Sequence, residues 1–267
     1  MTERTANAGK KRDGEDGERR ERPDEGEDKG MRSGAPAQDV RRRRLGGRMA
    51  RKSRKCARKK QEDALFARIS THVMQHVGPI ANVFHWPGPD IVHLDVLHVP
   101  PTPRRRCHTL VTCGMSLRPM CPPPLAADLR HAELYLSLPE NWRLNPAQRR
   151  DSDFWPVSQL SEIALYPHLC ETWLWCGHTI TDAGDTPIGP GVPFTGWLIG
   201  PHLSLGHEGC VVRFRERVIY IHSALPLYAE ELRLAQTRGS ESLFSRLAAH
   251  GVTDVVDLQR PNTVAGR

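Results

Sequence analysis

The segment HLCETWLWCGH sets His168, Cys170, Cys176 and His178 in a symmetric H-x-C-x5-C-x-H arrangement. Two thiolates and two imidazoles make a donor set suited to tetrahedral zinc. Short zinc modules space their ligands as C-x2-4-C or H-x3-5-H, however, and the interval here holds Thr172, Trp173 and Trp175, which have the character of core residues. Cys170 and Cys176 are therefore read as small buried hydrophobes, and no metal is expected. His93 and Asp95 lie two apart in a strand-like run, on one face, where an imidazole and a carboxylate can pair as they do when a general base is oriented. The competing reading is a carboxylate held by hydrogen bonds inside an apolar strand. No serine or cysteine stands in a nucleophile-elbow context, and neither G-x-x-x-x-G-K-[ST] nor G-x-G-x-x-G occurs. The chain is thus not expected to be an enzyme or to carry a cofactor, and a metal-dependent enzyme is the weakest of the readings kept.

Two further groups suit recognition better than catalysis. In PPTPRRRCH, three prolines stiffen a turn that carries Arg104, Arg105 and Arg106. A solvated hairpin tip is the default there, but arginines on a rigid turn can also grip carboxylates or phosphates bidentately. Six tryptophans (86, 142, 155, 173, 175 and 197) all fall after the first quarter of the chain, and most belong to a core because each buries a large apolar area.

These residues need a scaffold. Leu65, Ile69, Val73 and Val77 recur at helical spacing, which predicts a helix from about Asp63 to Val77, stopped by Gly78 and Pro79. Short strands are expected over 80–86, 91–99, 108–115 and 131–138. In IVHLDVLHV, one face carries Val92, Leu94, Val96 and His98, and the other Ile91, His93, Asp95, Leu97 and Val99. Both faces are largely apolar, so this strand is expected inside a sheet. A helix is predicted over 156–166 with Pro167 as its stop, then a strand over 172–180, a Gly/Pro-rich loop over 182–193, and strands over 194–200, 210–214 and 218–223. Two helices follow, 228–237 and 241–249, the second with Ser240 as N-cap and Gly251 as C-cap. Strands come in runs, with helices at the start, middle and end. The expectation is an α+β single domain with a mostly antiparallel or mixed sheet flanked by helices.

Charge divides the chain unevenly. Residues 1–62 carry 21 Lys and Arg against 12 Asp and Glu, and all seven lysines, whereas residues 63–267 carry 17 against 19. Met1 to Val40 has too little apolar side chain to offset the entropy of ordering a backbone, so a disordered charged tail is expected over residues 1–61. Within it, residues 41–60 form a basic block whose electrostatics suit a polyanion, and weak, nonspecific nucleic-acid binding is one reading. The other readings are a solvated charge run that keeps the chain soluble, or a translation start at Met31 or Met49. Seven cysteines, an odd number, and the absence of an apolar segment after the N-terminus argue against a disulfide framework and for reduced thiols in the cytoplasm. No run reaches the roughly 20 apolar residues of a membrane span.

The strand pair IVHLDVLHVPPTPRRRCHTLVTCGMSLRPM (Ile91 to Met120) resembles the core of the suppressor of fused (SUFU) domain. The resemblance continues, in order, through RHAELYLSLPENW (Arg130 to Trp142), FWPVSQLSEIALYP (Phe154 to Pro167), TWLWCGHTI (Thr172 to Ile180) and ALPLYAEELRLAQTRG (Ala224 to Gly239). It implies a SUFU-like domain over residues 62–260, followed by a short C-terminal tail over 261–267, that binds a protein partner and performs no chemistry. In eukaryotic members the domain helps clamp a transcription-factor peptide with contacts that fall near Tyr166, Gly177 and His178, and a second, C-terminal domain completes the clamp. This chain ends soon after the first domain. Stand-alone bacterial members are associated with polymorphic toxin systems, so the resemblance points to an immunity protein that neutralises a toxin domain by occluding it. The candidate partner-binding residues are Tyr166, Gly177 and His178, with Arg104, Arg105 and Arg106 as a separate group. A nucleic-acid-associated regulator using the basic segment is the alternative.

Overall fold

The computed structural model describes residues 37–87, 91–144, 152–181, 184–201 and 203–264, with backbone alone for 37–54. The chain divides into two units, residues 1–50 and 51–267, and the second carries the sheet. Eight strands, β1 (Asn82–Trp86), β2 (Leu94–Val99), β3 (Cys107–Cys113), β4 (Ala132–Pro139), β5 (Thr179–Thr181), β6 (Gly196–Gly200), β7 (Val211–Phe214) and β8 (Arg217–Leu227), form one sheet in the order β1-β2-β3-β4-β8-β6-β5, with β7 also paired to β8. Only β4 and β8 run parallel; the other pairs are antiparallel, and the α+β, mixed-sheet expectation holds. β8 can be long because its two ends do different work. Its N-terminal part pairs with β7 and its C-terminal part with β6, and Pro226 sits beyond the reach of β4, where its missing N–H breaks no second ladder.

The alternation read in β2 is the device that makes the fold three-layered. Val92, Leu94 and Val96 join Leu110, Leu134, Leu136 and Leu138 on one face, where α2 (Trp155–Leu169) adds Val157, Leu160 and Ala164. Leu97 and Val99 turn to the other face with Val111 and Tyr135, where Leu65, Ile69 and Val73 of α1 (Ala37–His76) cover them. Fully burying each of those three α1 side chains contributes roughly 1.5–3 kcal/mol. A third cluster joins β6 and β8 to α4 (Ala229–Arg238) and α5 (Ser240–Ala249) through Leu198, Leu225, Leu232 and Leu243. The four-residue α3 (Gly206–Gly209) leads into β7.

Several elements depart from the sequence expectations. α1 begins at Ala37 instead of Asp63, and residues 1–36 lie outside the described residues. No proline interrupts the run, and Arg, Lys, Gln and Ala are good helix formers; the apolar periodicity covers only its C-terminal turns. α2 continues through Pro167 to Leu169, because a proline this close to a C-terminus forfeits one intrahelical bond and the next carbonyls find Cys170 and Thr172 N–H groups. Residues 172–178 form no strand; only Thr179–Thr181 does. Gly177 has φ 95°, and the preceding aromatics pack in different directions, which breaks the alternation a ladder needs. The C-terminal stretch, without periodicity in the sequence, is fastened: Thr263 donates through N–H and Oγ1 to Glu231, and Arg260 chelates the same carboxylate.

Candidate partner-binding surface

Tyr166 lies on the last turns of α2 and is 39% exposed, with Leu169 one turn further at 54%. The chain then reverses at Glu171 (φ 49°) and runs beside the Met120–Cys121 segment, where Cys121 N–H donates to the Thr172 carbonyl at 3.0 Å and Leu174 N–H meets Met120 Sδ at 3.4 Å. From Cys121 the prolines lead to a short turn, Pro124–Leu129, on which Leu125 is fully exposed. Exposed apolar side chains thus sit on two segments that backbone bonds hold together. Folded surfaces do expose single apolar residues, but several large ones on adjoining segments suit a partner's apolar groups.

Gly177 and His178 occupy the turn leading into β5. Gly177 N–H donates to the Ile199 carbonyl at 2.8 Å, and Ile199 N–H donates back to the His178 carbonyl at 2.8 Å, which extends the β5–β6 pairing by one bridge. A Cβ on Gly177 would meet Ser240 Oγ at 2.7 Å, so the turn packs directly on the start of α5. The His178 ring stands edge-on to Trp173 with centroids 4.7 Å apart and is half-buried. No hydrogen bond or ring contact joins Tyr166 to Gly177 or His178 among the described residues.

The arginine turn is not one group. Arg105 folds inward: its guanidinium donates to Thr109 Oγ1 (2.8 Å), Ser137 Oγ (2.9 Å) and the Ser204 carbonyl (3.0 Å). Ser204 in turn bonds Asp254 through Oγ and N–H, and Tyr135 donates to the same carboxylate at 2.5 Å. Burial, followed by the Asp254 charge, pushes the Tyr135 hydroxyl far up, so it remains a donor. Arg106 pairs in solvent with Glu140 at 2.9 Å, and Arg104 is exposed. Arg104 and Arg106 face solvent, whereas Arg105 is an internal tie.

The four residues of the zinc-like pattern are not gathered. His168 is buried with Nε2 2.9 Å from the Met115 carbonyl, Cys170 is exposed and Cys176 half-buried. The reading of Cys170 as a buried hydrophobe is corrected: it lies past the end of α2, where the chain turns outward. His93 does approach Asp95, with Nε2 3.5 Å from Oδ1, and His85, which carries no local signal in the sequence, lies nearer at 2.6 Å. Its pairing with Asp95 depends on the β1–β2 register, which no local pattern encodes. Also unanticipated is Glu133, buried without charge partner and accepting from Thr112 Oγ1, Gly114 N–H and both Ser116 N–H and Oγ at 2.6–3.0 Å. Burial raises its pKa against the pull of those donors. Its task is to hold the tight turn after β3.

The chain is an α+β domain with one mixed sheet covered on both faces. The chain belongs to the suppressor of fused protein (SUFU) family, whose model matches residues 90–261. Its fold resembles a SUFU homologue from Neisseria gonorrhoeae (TM-score 0.55, 16% identity, 76% of this chain and 98% of that one). A structure described as the Sufu–Fu complex gives a TM-score of 0.53 at 16% identity, over 75% of this chain and 92% of that one. Drosophila Suppressor of Fused gives 0.51 at 14% identity, over 75% of this chain and 49% of that one. No curated protein matches the chain by sequence. No helix among the described residues is long and apolar enough to cross a membrane.

Proposed function

We propose that the chain is a non-catalytic protein-binding module that acts in the cytoplasm as an immunity protein, covering the working surface of a cognate toxin domain. Family membership supports the binding role, and one structural neighbour was solved as a complex of Sufu with Fu. The observation that carries the location is the exposed apolar set Tyr166, Leu169 and Leu125 on segments bonded to each other through Cys121 and Thr172. His178 and Gly177, at the approach to the short edge strand β5, add a polar margin and an edge where an extended peptide can pair. Arg104 and Arg106 form a separate candidate contact for acidic groups.

The test is co-expression with the toxin domain encoded beside the gene. The chain is expected to relieve growth arrest and to co-purify with the toxin. Tyr166→Ala or Leu169→Ser should weaken binding by about 2 kcal/mol, as hot-spot truncations do, with thermal stability nearly unchanged. Unimpaired arrest would dismiss immunity, and unchanged binding by both variants would place the interface elsewhere. The alternative, nucleic-acid association, is favoured by one observation: Lys55, Arg58, Lys59 and Lys60 stand exposed on α1 in the basic block. It requires salt-sensitive DNA or RNA binding that disappears when residues 1–60 are removed.

A further inference from the structure

The β1–β2 register sets His85 directly opposite Asp95, and His93 precedes Asp95 by two residues at the entrance to β2. His85 Nδ1 lies 2.6 Å from Asp95 Oδ1, His93 Nε2 lies 3.5 Å from the same oxygen, and donor atoms of all three fall within 4.8 Å of one another. Among the described residues this is the one place where three such side chains converge. Asp95 is 4% exposed, at a strand whose other side chains are apolar or hydrogen-bonded, while both imidazoles open to solvent. The β1–β2 ladder holds the backbone of His85 and Asp95, and the His93 carbonyl lies against Gly114 (φ 128°), where a Cβ would stand 2.0 Å from it.

We propose that His85, His93 and Asp95 bind a divalent cation of the zinc class, with two imidazole nitrogens and one carboxylate oxygen as ligands and water completing the shell. Ligand atoms about 2.0–2.1 Å from a tetrahedral zinc stand about 3.3 Å apart, so the His85–Asp95 contact opens slightly and the two imidazoles close toward each other. Both changes are rotations of exposed side chains. Borderline nitrogen donors with a single carboxylate favour zinc, nickel or copper over calcium and magnesium, which want more oxygen ligands than this site supplies. The buried carboxylate provides negative charge where solvent screens it poorly, and the solvent-facing imidazoles leave an entry path. Sheet register, not sequence proximity, builds the site, and it is distinct from the H-x-C-x5-C-x-H pattern.

The test uses the full-length chain after treatment with a chelator. Titration calorimetry with zinc chloride is expected to show a high-affinity equivalent that magnesium chloride does not reproduce, and zinc should raise the melting temperature by mass action. His85→Ala and His93→Ala, both at exposed side chains, should each weaken that equivalent at least about tenfold, a change of about 1.4 kcal/mol, while His250→Ala leaves it unchanged. Zinc binding that is absent, or that persists undiminished in both His85→Ala and His93→Ala, overturns the site.

Discussion

Individual side chains in this domain show how burial selects a protonation state. Asn82 Nδ2 lies 3.0 Å from His98 Nδ1, His98 Nε2 lies 2.9 Å from His108 Nδ1, and His108 Nε2 lies 3.3 Å from the Glu140 carbonyl. If the amide donates, every later bond takes its direction: His98 and His108 are both neutral, each accepting on Nδ1 and donating from Nε2. Burial, reinforced by His108, lowers the His98 pKa to about 4. Burial also lowers His108, His131, His168 and His72. A histidine whose folded pKa lies below its unfolded value contributes stability that is fully present above about 6.5 and is lost as pH falls toward the folded value. Thermal stability should therefore decline between about pH 6.5 and 4, with His98 accounting for on the order of 3 kcal/mol at most. His98→Gln should flatten part of that decline in melting temperature; an unchanged slope would show that this imidazole does not report the transition. Gly177→Ala tests geometry instead. The new methyl is strained at φ 95° and presses on Ser240 Oγ, so a loss of about 1–2 kcal/mol in denaturant unfolding is expected.

At the scale of elements, periodicity located what packs but not where helices and strands end. Leu65, Ile69 and Val73 were legible as a buried stripe because their spacing repeats the helical turn, and all three are in the core. The helix around them begins at Ala37, beyond the reach of the apolar periodicity, in a run of good helix formers. Removing residues 1–60 should consequently leave thermal unfolding nearly unchanged, whereas removal of 1–79 should cost several kcal/mol, from three buried side chains at roughly 1.5–3 kcal/mol each. A large loss in the shorter truncation would show that the basic turns support the fold. The stretch from Thr172 to His178 failed as a strand for the opposite reason. Its composition is strand-like, but Trp175 packs edge-on to Tyr220 and His222 while Trp173 meets His178, and the sheet offers its backbone only the single bridge at Ile199.

At the scale of the whole molecule, the C-terminal stretch is fastened to the sheet domain by a buried polar tie. Arg260 reaches Glu231 through two bonds of 2.7 and 2.6 Å, donates to the Pro226 carbonyl, and lies over the rings of Phe194 and Tyr228 at 4.9 Å from each. Burial alone would raise the Glu231 pKa, but Arg260 and the Thr263 and Tyr228 N–H groups outweigh it and hold it low. Its stabilising contribution is therefore present above the ordinary carboxylate range and is lost as pH falls through the depressed value. Arg260→Met should destabilise the domain by about 3–5 kcal/mol because it strands a buried carboxylate, and adding Glu231→Gln should recover part of that loss. Denaturant unfolding of the single and double variants measures both, and full additivity would mean that the two side chains are not coupled.

The sequence by itself determined the family, the α+β class, the two apolar faces of β2 and the helices that cover them. Those depend on short-range periodicity and ordered motifs, which any stretch of chain carries locally. Tyr166, Gly177 and His178 were singled out through the family resemblance, and the arginines of the turn by residue type, since guanidiniums are among the side chains that interfaces use most. Tertiary structure alone decided that Arg105 is tied to Ser137 and Ser204 while Arg104 and Arg106 face solvent, that Leu125 and Leu169 are exposed on adjoining segments, and that His85 meets Asp95. Each of these joins residues through strand register or loop packing. Register is fixed by the burial of both sheet faces at once, a balance over many side chains that no local spacing contains.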